Sequence, residues 1–187
     1  MTAITGQKIV FDGWAKVSLA SVRGDDGRTF ERVIEHHGSA ACVLPYDAMR
    51  KTAVLVRQFR APVCAMSTRS DLLEAIAGLI DDEDPKTTAA REAFEETGLR
   101  LSSLEFVTTV WTMPGVSTER MSLYLAPYTP ADRAGAGGGK ASEHESITVV
   151  EIPLAEVAAM LDDGTLEDLK TVALVQTLRL RQPELFA

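Results

Sequence analysis

Three glutamates, Glu92, Glu95 and Glu96, lie within five positions of one another and follow directly on Arg91. On a helix turning 100° per residue they fall within an arc of about 100°, with Ala90, Ala93, Phe94 and Thr97 roughly opposite. Carboxylates held so close repel one another and resist ionisation unless a cation sits among them. A hard, oxygen-seeking ion such as Mg²⁺ resolves that conflict, because it takes a few carboxylates and completes its shell with water and phosphate oxygens. Arg91 stands four residues before Glu95 and can orient it through an i,i+4 ion pair. Spacing alone leaves a second reading open, a solvated acidic face of the kind that surface helices often carry.

The elements that must hold these residues can be outlined from pattern. From Asp84-Pro85 to Thr97 the signals are helical, with Asp84 as N-cap, Pro85 at the first position and Gly98 as the stop. Strands are expected at Lys8 to Asp12, Trp14 to Val22 and Arg28 to His37, with the turn cluster Arg23-Gly24-Asp25-Asp26-Gly27 before the third. Ala41 to Tyr46 and Thr52 to Phe59 read as buried neighbouring strands, joined most simply as a hairpin. Leu104 to Trp111 and Arg120 to Tyr128 follow, linked through Met113-Pro114-Gly115. Thr129 to Glu145, which includes Ala134-Gly135-Ala136-Gly137-Gly138-Gly139, has no periodicity and is expected to be a mobile loop. A strand at Ser146 to Ile152 and helices at Leu154 to Leu161 and about Leu166 to Arg181 close a mixed α+β chain.

The bulk properties narrow the function classes. With 187 residues, 45% of them hydrophobic, the chain suits one domain with a small appendage. A formal charge of −8 argues against a nucleic-acid surface, which needs a basic patch. It does not exclude a small phosphorylated substrate, since bound divalent cations invert the field around carboxylates. Cys42 and Cys64 sit in apolar sequence without metal-ligand spacing and read as buried free thiols, pointing to a reducing compartment. Neither a signal-peptide pattern nor a membrane-length apolar run is present in the sequence, so a cytoplasmic location and no membrane partner are expected. Gly139-Lys140 imitates the end of a phosphate-binding P-loop, but Ala134 and Ala141 stand where glycine and serine or threonine are required. His36, His37 and His144 lack the spacing of a zinc motif and read as structural or exposed.

The wider pattern changes the weight of the two readings. Gly78-Leu79-Ile80-Asp81-Asp82-Glu83, seven intervening residues, and then Arg91-Glu92-Ala93-Phe94-Glu95-Glu96-Thr97-Gly98-Leu99 closely resemble the box of the Nudix hydrolases, a loop, helix and loop led by glycine. One residue is missing between the glycine and the first glutamate, so either Glu83 or Asp84 fills the first carboxylate position. The resemblance covers about residues 8–180. Arg57-Gln58-Phe59-Arg60, Glu74-Ala75-Ile76-Ala77-Gly78-Leu79-Ile80-Asp81 and Pro114-Gly115-Val116-Ser117-Thr118-Glu119 look like the branch that cleaves nucleoside diphosphate sugars and ADP-ribose. The shortened box loop, Gly137-Gly138-Gly139 and Asp168-Leu169-Lys170-Thr171 look most like the bacterial GDP-mannose pyrophosphatases of that branch.

The resemblance implies an α/β/α sandwich with a mixed central sheet, residues 39–187, preceded by antiparallel strands in residues 1–38 that serve dimerisation and substrate binding. It implies hydrolysis of the pyrophosphate bond of a nucleotide sugar, to a nucleoside monophosphate and a sugar 1-phosphate. Glu92, Glu96 and the carbonyl of Ala77 would hold Mg²⁺, or Mn²⁺ as a substitute, with Glu145 completing the set and Glu95, oriented by Arg91, beside it. Glu119 is the first candidate for the base, with Glu145 or Glu143 second. Arg60, Gly78, Leu79, Glu119 and Lys170 are implied substrate contacts; Trp14 and Arg32 align with positions that hold the nucleotide across a homodimer interface. Two other outcomes stay open, ADP-ribose as the main substrate and a non-catalytic module that only binds a nucleotide.

Overall fold

Residues 1–140 and 146–187 are described by a computed structural model. Their contacts separate two units, Met1–Ala40 with Thr109–Met121, and Ala41–Thr108 with Ser122–Ala187.

In the first unit, β1 (Ala3–Asp12), β2 (Lys16–Arg23) and β3 (Thr29–His36) form an antiparallel sheet in that order. Ser18, Ala20 and Val22 are buried on β2, every second residue, whereas β1 is exposed throughout. The expected glycine and aspartate turn is present: Gly24 donates its N–H to the Arg28 carbonyl, and Gly27 adopts φ +79°. The Met113-Pro114-Gly115 segment also turns, with the Met113 carbonyl accepting from the Val116 and Ser117 amides. This turn is held against β3, because Glu35 donates to the Val116 carbonyl and Thr118 donates to the Glu35 carbonyl.

The second unit carries most of β4 (Ser39–Asp47), β8 (Glu105–Trp111) and β9 (Arg120–Pro127), and all of β5 (Thr52–Phe59), α1 (Ala61–Met66), β6 (Asp71–Glu74), β7 (Ile76–Leu79), α2 (Pro85–Thr97), β10 (Ile147–Pro153), α3 (Leu154–Asp162) and α4 (Leu169–Arg181). Its sheet has seven strands, ordered β10-β5-β4-β9-β8, with β6 paired to β5 and β7 to β4. The expected β4–β5 hairpin forms, closed by Asp47, whose side chain accepts from the Met49 and Arg50 amides. β4 is buried from Ala40 to Asp47, as a strand covered on both faces must be. Ala89 and Ala93 of α2 pack with Ala41, Val43, Val56, Ile76, Tyr124, Ala126 and Ile147. These alanines bury little area, so the helix relies on close approach to the sheet rather than on large side chains.

Several expectations are corrected. Phe94 is not buried but 38% exposed, with the Arg100 guanidinium over its ring at 5.0 Å and Gly135 beside it. Its place is taken by Glu96, which is buried with Ala89 and Ala93 along one stripe of α2. Cys42 is buried and free, but Cys64 is exposed, because α1 is a six-residue helix with no buried residue. β6, β7 and α1 carry no periodic signal long enough to be read from sequence. The expected mobile loop is ordered over residues 129–140. Pro130–Asp132 form a 3-10 turn whose capping box pairs Thr129 with Asp132. Ala134 donates to the Gly98 carbonyl, and Gly138 and Gly139 donate to the carbonyls of Glu96 and Glu95. None of the helices among the described residues is long and apolar enough to cross a membrane.

Candidate active site

The start and end of α2 are set by its terminal residues. Asp84 accepts from the Lys86 and Thr87 amides at 3.0 and 3.2 Å, Pro85 occupies the first turn, and Gly98 closes the helix at φ +73° with its N–H on the Phe94 carbonyl. The glycine segment lies against that end backbone to backbone. A Cβ at Gly137 would stand 2.3 Å from the Glu96 carbonyl oxygen, and one at Gly98 2.0 Å from that of Gly135. Arg133 adds a side-chain bond to the Thr97 carbonyl at 3.1 Å. Such packing fixes the turn that carries Glu95 and Glu96.

On the carboxylate face, Arg91 is the organising cation. Its Nε donates to Glu83 at 3.0 Å, and Nη1 lies 2.8 Å from both Glu92 and Glu95. Lys140 adds its ammonium to Glu95 at 3.0 Å. Three carboxylates, Glu83, Glu92 and Glu95, thus meet two cations, Arg91 and Lys140, an excess of one negative charge. Burial raises the Glu92 pKa; Arg91 draws it down and Glu95 pushes it up, and the net direction is upward. The Arg91 pKa is raised as well: burial works against its charge, but Glu83, Glu92 and Glu95 hold its proton more firmly than usual. Asp84 is occupied in capping, and Glu83 is bonded to Arg91.

The donor set fits a hard divalent cation. Gly78 faces Glu92 so closely that a Cβ there would stand 2.1 Å from the Glu92 carboxyl and would push that side chain aside. That approach brings the Ala77–Gly78 backbone to the carboxylate face, as a metal shared by the Ala77 carbonyl and Glu92 requires. Among the described residues no three His, Cys, Asp or Glu side chains gather tightly enough to enclose an ion. Glu145, the expected fourth contributor, lies outside the described residues, as do Glu143 and His144.

A second charged cluster surrounds Glu74. Arg60 meets it as a fork, Nε on one oxygen at 2.7 Å and Nη2 on the other at 2.8 Å, and Lys170 Nζ reaches it at 2.5 Å. Lys170 also donates to Asp168 at 2.9 Å, and Asp168 caps α4 by accepting from the Thr171 amide at 3.0 Å. Burial would raise the Glu74 pKa, but the hydrogen bond from Arg60 and the charges of Lys170 and Arg60 overturn this and leave it low. Arg60 and Lys170 were anticipated from the sequence as substrate contacts, whereas Glu74, Asp168 and Thr171 were given no role. A signal for Glu74 exists, a single charge inside the apolar run Leu72-Leu73-Glu74-Ala75-Ile76. Cys42 lies in the field of this cluster, and burial pushes its thiol pKa far up.

Of the remaining expected residues, Glu119, Trp14 and Arg32 belong to the first unit. Glu119 places Oε1 3.7 Å from His37 Nε2, and its amide donates to the Ser117 hydroxyl at 3.1 Å. His37 in turn sits 3.4 Å from Glu35 and meets the Trp14 ring edge-on at 5.1 Å. Trp14 is 83% exposed, not a core side chain, so its ring is open for stacking. Arg32 lies over the Phe30 ring at 4.4 Å. Leu79, beside Gly78 in the second unit, is 39% exposed.

Comparison with known proteins agrees with this geometry. The family described as NUDIX domain matches residues 36–175. A GDP-mannose pyrophosphatase of Cronobacter sakazakii is 41% identical over 152 residues, 81% of this chain and 78% of the relative. Another, from Escherichia coli, is 36% identical over 180 residues and 92% of both chains. In fold, the chain resembles the crystal structure of an ADP compounds hydrolase with a TM-score of 0.76 and 21% identity, over 98% of this chain and 95% of that one. The carboxylate helix, the glycine that faces it and the extent of these matches lead to one conclusion, that this chain belongs to the NUDIX family.

Proposed function

We propose that this chain is a pyrophosphohydrolase that cleaves a nucleoside diphosphate sugar of the GDP-mannose type, giving a nucleoside monophosphate and a sugar 1-phosphate. The observation that carries the reading is the contact between Gly78 and Glu92, in a chain 36–41% identical to GDP-mannose pyrophosphatases. A water oxygen adds to one phosphorus, the bridging P–O bond breaks, and the bridging oxygen leaves with the other phosphorus; the proton lost by water passes to a carboxylate. Mg²⁺, with Mn²⁺ as a substitute, would be held by Glu92, Glu96, the Ala77 carbonyl and Glu145, and when bound it screens the diphosphate and lowers the pKa of the attacking water. Arg91 holds Glu95 in place for this set, and Arg60 and Lys170 supply cationic donors for phosphate oxygens. Glu119 is the first candidate for the base, ahead of Glu145 and Glu143. Gly78 and Leu79 line the substrate, and Trp14 and Arg32 hold the nucleotide.

The same reading assigns residues 39–187 to the hydrolase domain and 1–38 to a segment that pairs two copies. The latter is supported by β1, on which Ile4, Ile9, Val10 and Phe11 are each at least half exposed. Sedimentation should give a dimer at micromolar concentration; a monomer alone would remove this assignment. The free thiols suit a reducing compartment, and we place the chain in the cytoplasm.

Turnover of GDP-mannose, ADP-ribose and UDP-glucose with Mg²⁺, ranked by kcat/KM, tests the substrate. GDP-mannose is expected to lead. A lead of about tenfold for ADP-ribose, a difference of about 1.4 kcal/mol in transition-state binding, would overturn the choice.

A further inference from the structure

Two successive residues at the junction of β6 and β7 are gripped by two successive residues of α4. Glu74 takes Lys170 at 2.5 Å, and the Ala75 amide donates to the Thr171 hydroxyl at 2.6 Å inside the core. Asp168 joins the two grips, accepting from Lys170 at 2.9 Å and from the Thr171 amide at 3.0 Å. The strand held this way continues directly into Ala77 and Gly78. Glu74 also binds both Nε and Nη2 of Arg60, so cations from two distant parts of the chain end on one carboxylate whose side chain is only 3% exposed.

We infer that Glu74 is a positioning residue for diphosphate binding, fixing Arg60 and Lys170 as a pair; this rests on the function proposed above. Stability alone does not call for such a cluster, because apolar residues of similar volume in its place often leave a protein as stable or more so. The donor count points to a ligand. Arg60 spends two of its five N–H bonds on Glu74, and its side chain is 40% exposed. Lys170 spends two of its three, one on Glu74 and one on Asp168. The bidentate contact fixes the plane of the guanidinium, and the two carboxylates remove the freedom of the lysine stem. Phosphate oxygens then meet donors whose ordering cost has been met before binding. Paired against Glu74 and Asp168, the two cations are formally neutral, so the site can stay folded without an anion.

Glu74→Gln tests this, since it keeps the shape and removes the charge that both cations need. Methylenediphosphonate, a diphosphate that cannot be hydrolysed, is titrated into each variant with Mg²⁺ present. Glu74→Gln should weaken its binding about tenfold, and raise KM for GDP-mannose by a similar factor with kcat changed by less than about threefold. In a chain already carrying Arg60→Gln and Lys170→Gln, the same change should add less than about twofold, because nothing is left to position. Unchanged affinity in a folded Glu74→Gln, an equal loss in both backgrounds, or no diphosphonate binding by the unaltered chain would each overturn the inference. Should Glu74→Gln not fold, Asp168→Asn keeps the helix cap and loosens Lys170 alone; KM should rise about threefold, and no change would equally overturn it. Diphosphonate binding is read without turnover, so an unaltered chain that hydrolyses no nucleotide sugar sinks the proposed function while leaving this test intact.

Discussion

The second unit holds two charged clusters that solve opposite problems. Around Glu74, two cations and two carboxylates cancel, and the carboxyl pKa is depressed in spite of burial. On α2 the carboxylates outnumber the cations, and the Glu92 pKa is raised by burial and by Glu95. The first cluster is balanced in charge before any ligand arrives. The second carries an excess of negative charge that a divalent cation would relieve, so one cluster holds its cationic donors ready without a ligand while the other lacks a counter-ion.

Substitutions can break this contrast from either side. The largest effect is expected from Glu96→Gln, which should lower kcat by about 10³-fold, a barrier rise of about 4 kcal/mol, while circular dichroism shows the fold retained. Full turnover in the folded variant would remove Glu96 from the metal site. Glu74→Ala should in addition lower stability, by about 3 kcal/mol in urea unfolding, because it leaves Lys170 and Arg60 without their shared partner. A loss below about 1 kcal/mol would mean that this cluster contributes no more than a surface pair.

Acidification gives a smaller, signed effect. The folded Glu74 pKa lies below its unfolded value, so the stability it contributes is present above about pH 4.3 and is lost as pH falls through the folded value. The gap in urea midpoint between the unaltered chain and Glu74→Gln should therefore close in that window; a gap that widens on acidification has the wrong sign. Glu92 runs the other way. Its folded pKa is raised, so its ionisation costs stability at neutral pH, and Glu92→Gln should raise the midpoint slightly, a gain of less than about 1 kcal/mol in unfolding free energy, in the absence of metal. Saturating Mg²⁺ should reverse that order by stabilising only the unaltered chain. A midpoint that is lower in Glu92→Gln without metal would show that repulsion on this face has been overstated.

Much of this was legible in the chain because local chemistry decides it. Asp84, Pro85 and Gly98 bound α2 as their types predict, and the box spacing located the carboxylate face. Burial of Glu96 and exposure of Phe94 were not legible, since tertiary contact selects which stripe of a weakly amphipathic helix faces the sheet. The Glu74 cluster was hidden for another reason. Its members Arg60, Glu74 and Lys170 are far apart in sequence; Arg60 and Lys170 taken alone resemble ordinary surface charges, and only Glu74, inside an apolar run, carries a local signal. The 129–140 segment was misread because glycine serves two purposes, freedom in a loop and closeness in a packed one, and composition does not separate them.

That closeness has a consequence for protein engineering. Loops that follow a catalytic helix are attractive units to exchange between relatives when a new substrate is wanted. Here Gly135 and Gly137 are moulded to the backbone of Glu96, Thr97 and Gly98, with the Phe94 ring beside Gly135. A graft of residues 129–140 would carry its own mould, and would fit only if the last turn of α2 were transplanted with it. The unit that can be exchanged is therefore the loop together with the helix end.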